Sequence, residues 1–140
     1  MSDAATIARE YHESWNRRDF ARIRELVHPQ YSYTGGDGQQ QKGPEVALAT
    51  AQMYATAFPD GKLDIQRIHS VGENLAIVEF IARGTHQGDL MGIAPTGRPM
   101  TIPVCMVIEA REGKIYAERE YMDMMHMMQQ LGVVPAPATA

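Results

Sequence analysis

A chain of 140 residues, 44% hydrophobic and 21% charged, has material for one buried core but not two, and lacks the charge-rich, core-poor profile of disorder. With 13 Lys plus Arg against 17 Asp plus Glu and no basic cluster, it offers no surface for neutralising the phosphates of nucleic acid. A single cysteine excludes an intrachain disulfide, and the absence of a basic-then-apolar leader or a run of about 18 apolar residues argues against export and membrane insertion, so a reducing cytoplasm is the expected setting.

Ala4, Ile7, Ala8, Tyr11 and Trp15 recur at helical spacing behind Ser2 and Asp3, which predicts an amphipathic helix over 3–16. Asp19 caps a second, short helix carrying Phe20, Ile23, Leu26 and Val27, stopped at His28-Pro29. Tyr31-Ser32-Tyr33 is a short strand, and the glycines and glutamines after it read as a mobile loop. Pro44 starts a third helix that runs to about Phe58, where Pro59-Asp60-Gly61 turns the chain.

From Lys62 the period changes to two. Strands are expected over 62–71, 75–86, 100–111 and 114–122, with a tight turn at Glu112-Gly113, and a terminal helix follows from Asp123 to Leu131. The domain is expected to span 1–132, with 133–140 a fraying tail. Helices first and an antiparallel meander second predict an α+β architecture, and the long strands predict a strongly curved sheet that the N-terminal helices close into a cone-shaped pocket.

Alternation over 75–86 puts Ala76, Val78, Phe80, Ala82 and Gly84 on one face that ends at His86. A histidine there either carries a proton or caps the strand end. The last strand places Tyr116, Glu118, Glu120 and Met122 on one face and Ile115, Ala117, Arg119 and Tyr121 on the other, and parity alone does not say which is inside. A carboxyl in an apolar pocket would hold its proton more tightly and serve as a general acid or base, whereas an outward one is merely solvated, and Glu118 fits the outward reading better than Glu120. Asp123 reads as an N-cap. Cys105, in an apolar run, reads as a buried small hydrophobe. The ten methionines, crowded toward the C-terminus, either fill core or line an adaptable pocket. His12, His28, His69 and His126 show no metal-ligand spacing, so neither metal nor other cofactor is expected.

The words Ala57-Phe58-Pro59-Asp60, Arg83-Gly84-Thr85-His86-Gln87-Gly88, Gly92-Ile93-Ala94-Pro95-Thr96-Gly97, Gly113-Lys114-Ile115 and Gln129-Gln130-Leu131-Gly132 resemble the SnoaL-like polyketide cyclases of the nuclear-transport-factor-2-like fold. The resemblance implies a cofactor-free intramolecular aldol closure on a small hydrophobic, carbonyl-bearing substrate, with an acid/base carboxylate at Glu120, where the best-known members carry aspartate. It puts Met106 where those members carry a histidine. His86 would assist catalysis, and Trp15, Tyr33, Met53, Phe80 and Met106 would contact substrate, with Asp123 a cap or secondary acid. Isomerisation, dehydration or hydrolysis of a small apolar molecule, or non-catalytic binding of one, are the alternatives the fold allows. The apolar outer sheet face, with Ile77, Ile81 and Val107 among Glu79, Arg83 and Glu109, predicts a homodimer.

Overall fold

The computed structural model describes residues 2–135. Helix α1 (Ala4–Arg17) begins where Asp3 accepts the Thr6 amide at 2.9 Å and ends at Arg18, which takes the left-handed conformation at φ 55°. Its inward stripe, Ala4, Ile7, Ala8, Tyr11, continues the predicted spacing and adds His12. Asp19 caps α2 (Phe20–Leu26) by accepting from Arg22 N at 3.1 Å.

Two expectations change next. Val27 belongs not to the helix but to β1 (Val27–Thr34), which runs through His28-Pro29. Proline lacks an N–H for a ladder, and the register of β1 slips between Val27 and Ser32, around that residue. Within the expected mobile loop, Gln40–Lys42 forms β2, a short exposed strand antiparallel to β1. Its pairing is main-chain only, so no apolar side chain announced it.

Helix α3 (Pro44–Ala57) starts with proline in its first turn, as expected. The strands β3 (Lys62–Val71), β4 (Leu75–Thr85), β5 (Pro99–Arg111) and β6 (Lys114–Met122) follow, and α4 (Met124–Gln130) closes the described elements. Sheet order is β2-β1-β6-β5-β4-β3. All neighbours pair antiparallel except β1 and β6, which run parallel. The α+β fold with a curved, open six-stranded sheet agrees with the sequence expectation. Residues 133–135 carry no helix or strand, and the rest of the expected tail, 136–140, lies outside the described residues.

Strand β6 breaks simple alternation. Ala110 pairs with Ile115 and Glu109 with Ala117, so Tyr116 is an extra residue, a bulge just after the Glu112-Gly113 turn. Both turn residues have positive φ, 54° and 73°, the twist a two-residue hairpin needs. Beyond the bulge Glu118 pairs with Ile108, Glu120 with Met106 and Met122 with Val104, which fixes these three on the inner face together with Ile115. Cys105, between Glu79 and Tyr121 on the outer face, is half-buried, not in the core as expected.

Candidate active site

The concave sheet face and the helices enclose an apolar cavity with about 90 Å³ of free volume, in a cleft whose unfilled space, open mouth included, is about 790 Å³. Phe80, Ala82, Ile102, Val104 and Met106 form its sheet wall, Ala51, Tyr54, Ala55 and Phe58 its α3 wall, and Tyr11, His12 and Trp15 its α1 wall. Met100, Met122 and Met127 complete an unusually thioether-rich lining. Such side chains adjust shape at low cost, which suits a flat guest in a narrow slot.

The mouth is pinned by two residues at the end of α1. Arg18 Nη1 donates to the carbonyls of Asn16 (3.1 Å) and Gly61 (2.9 Å), and Nη2 to those of Phe58 (3.2 Å) and Pro59 (3.0 Å). Asn16 pairs with both the N–H and the C=O of Leu63, at 2.8 and 2.9 Å. Together they lock α1 to the turn between α3 and β3.

Glu120 projects from β6 into this apolar wall. Burial raises its proton affinity, while a hydrogen bond from the Tyr33 hydroxyl partly opposes the rise. Burial and the charge of Glu120 in turn push the Tyr33 and Tyr54 phenols well above their ordinary range, so both stay protonated donors. A polar recess on the other side, lined by Thr34, Gly35, Gly36, Gly38, Arg119 and Tyr121, also reaches Glu120 and Met122. Glu120 therefore borders two hollows.

Of the residues expected to contact substrate, Trp15, Phe80 and Met106 line the cavity. Tyr33 meets Glu120 from behind and is not part of the lining. Met53 is also off the lining, because its helical neighbour Tyr54, about 100° around α3, takes the inward position. His86 needs the larger correction. It is fully buried but outside the cavity lining, and its Nδ1 accepts the Thr96 amide at 3.2 Å with Thr96 Oγ1 at 3.0 Å. Its main chain pairs with Arg98 and Gly97. It ties down the 87–98 loop, a fastening role closer to the strand-end alternative than to proton transfer. Asp123 accepts the His126 amide at 2.9 Å and caps α4.

Three polar groups at or beside the cavity are not among the site residues expected from the sequence. His12 lines the cavity, donates through Nδ1 to Ala8 O at 2.8 Å, and burial lowers its proton affinity to about 4, so it is a neutral imidazole. Its position, four residues after Ala8 on the inward stripe, was the available signal. Tyr54 shares helix spacing with Ala51 and Phe58. Glu118, expected outward, is 2% exposed and accepts from the Tyr31 hydroxyl at 3.0 Å, with Tyr11 beside it. Burial pushes it up to about 7. Among the described residues no three His, Cys, Asp or Glu side chains gather as a metal site would require, and no helix is long and apolar enough to cross a membrane.

The family model for SnoaL-like polyketide cyclase matches residues 5–131. Aklanonic acid methyl ester cyclase AcmA of Streptomyces galilaeus is 26% identical over 141 residues, covering 99% of this chain and 96% of that protein. Among solved structures, IdmH of Streptomyces antibioticus superposes with a TM-score of 0.77 at 29% identity, covering 91% of this chain and 96% of IdmH. AclR of Streptomyces galilaeus superposes at 0.82 with 22% identity, covering 95% of this chain and 83% of AclR. With the matched residues reaching from the first turn of α1 past the end of α4, the chain belongs to the SnoaL-like polyketide cyclase family.

Proposed function

We propose that the protein closes a ring in a small, hydrophobic, carbonyl-bearing polyketide by cofactor-free acid/base catalysis, with Glu120 as the acid/base. One observation carries this reading: Glu120 is the carboxyl set in the wall of the apolar cavity, held by Tyr33 and with no cation paired to it among the described residues. A carboxylate so placed is a stronger base than one in water.

Glu120 takes a proton from a carbon flanked by carbonyls, the enolate carbon bonds to a second carbonyl carbon of the same molecule, and the resulting alkoxide receives the proton back from Glu120. Substrate and product are isomers. The apolar lining contributes by folding the chain so that the two carbons meet and by excluding water that would compete for the enolate. Trp15 and Tyr54, with ring centroids 6.2 Å apart, offer faces against which an aromatic guest can lie.

A second reading, binding without catalysis, draws on Met106. It stands directly opposite Glu120 in the β5–β6 ladder, so the position facing the carboxylate has no group that transfers a proton. Incubation with aklanonic acid methyl ester, the compound for which AcmA is named, separates the two. Appearance of a product of unchanged mass but different chromatographic retention supports ring closure, and Glu120→Gln should lower kcat by about 10²- to 10⁴-fold with KM little changed. Unaltered turnover in the Gln variant would remove Glu120 from the chemistry. Saturable binding of that compound with no conversion would favour the carrier reading.

A further inference from the structure

Glu118 is a buried titratable group that the ring closure leaves unused. It lies two residues from Glu120 on the same inner face of β6, opposite Ile108 where Glu120 is opposite Met106. Each carboxyl meets a tyrosine of β1, Tyr31 for Glu118 and Tyr33 for Glu120. Among the described residues the other polar groups that act on the pair are Tyr11 of α1 and Tyr54 of α3, and neither is a cation. Arg119, between the two in sequence, pairs with Glu109. His12 on the α1 wall stays neutral, because burial lowers it to about 4.

Two neighbouring carboxylates on one buried strand face, with no cation paired to either among the described residues, cannot both ionise cheaply; Arg18, Lys62 and Arg83 also line the cavity, but Arg18 is spent on backbone carbonyls and Lys62 and Arg83 pair with Asp64. Solvation decides which one does. Glu120 borders the cavity and the polar recess, whereas Glu118 borders neither. We propose that Glu118 and Glu120 form one two-carboxyl unit that ionises in two steps, with Glu118 a positioning residue that keeps its proton in the first and so leaves the single charge on Glu120. Burial of Glu118, to which the charge of Glu120 adds, acts in the same direction.

The arrangement has a use in the cycle. A protonated Glu118 leaves Glu120 free to start the cycle as the carboxylate that takes the proton, whereas an ionised Glu118 beside it would keep Glu120 protonated. This role rests on the acid/base reading of Glu120, and the experiment is one whose outcome does not depend on turnover. Side-chain carboxyl carbons are followed by ¹³C NMR from acid to alkaline pH in the full-length wild type, Glu120→Gln and Glu118→Gln. In the wild type Glu120 should ionise first. In Glu120→Gln the Glu118 midpoint should fall by about one pH unit, because the neighbouring charge is gone. In Glu118→Gln the later titration should vanish while the Glu120 midpoint stays within a few tenths. An identical Glu118 midpoint in wild type and Glu120→Gln, or ionisation of Glu118 before Glu120, would overturn the proposal. Should Glu118→Gln fail to fold, the Glu120→Gln titration decides alone. A coupled titration in a protein that does not cyclise would reject the reaction and keep the pair.

Discussion

At the scale of the residue, two glutamates on one strand differ in a way their sequence neighbours conceal. Glu118 takes its proton at about 7 in the folded chain against 4.5 for an ordinary glutamate, so between these values the folded state binds more protons than the unfolded one. Stability from this group is therefore fully present below about pH 4.5 and lost as pH rises through about 7. The total is roughly 3 kcal/mol, because each pH unit between the folded and unfolded midpoints is worth about 1.4 kcal/mol. Glu118→Gln cannot titrate, so the wild type should lose about that much relative to the variant between pH 4.5 and 8 in urea denaturation. A constant difference across that range would mean that Glu118 is ionised throughout. The sequence showed a carboxyl at each position but not their surroundings. Tyr31 and Tyr33 lie 87 residues from their glutamate partners, and only the parallel pairing of β1 with β6 brings them there. No local pattern encodes that pairing.

At the scale of the element, periodicity located helices and strands well and failed where backbone geometry acts without side chains. Asp3, Asp19 and Asp123 each cap a helix, as short polar residues before apolar runs should. The bulge at Tyr116 shifts the phase of β6 by one residue, so the two-face reading of 114–122, right for Glu118, Glu120 and Met122 as companions, assigned Ile115 to the wrong face. Strand β2 and the passage of β1 through Pro29 were illegible for the same reason: ladder hydrogen bonds leave no mark in hydropathy. The 87–98 loop is held just as closely by backbone. Gln87 and Gly88 donate to Ala57 O at 2.9 and 3.2 Å, and a Cβ on Gly88 would sit 2.1 Å from Thr56 O. Gly88→Ala must move the loop or the end of α3, which should cost about 1 to 3 kcal/mol in chemical denaturation. An unchanged midpoint would show that the loop is free to shift.

At the scale of the whole molecule, the outer sheet face remains partly apolar. Ile77, Ile81 and Val107 are half-buried and Tyr121 is exposed, among the charged pairs Arg83 with Asp64 and Arg119 with Glu109. A second copy of the chain is the expected cover, through a mixed apolar and charged interface. Light scattering at micromolar concentration should give twice the mass of the 15.6 kDa chain, and Ile81→Glu should return it to one; a monomeric wild type would refute this. The thioether-rich lining also offers a route to the substrate. Met100, Met106, Met122 and Met127 line the space a guest would fill, and each side chain ends in a freely rotating methyl. Selective isotope labelling of methionine methyls thus turns the cavity into its own detector. Any compound that enters should displace these four resonances, while those of exposed Met91 and Met125 stay still, so a library of unknown aromatic metabolites can be screened for guests before any reaction is known.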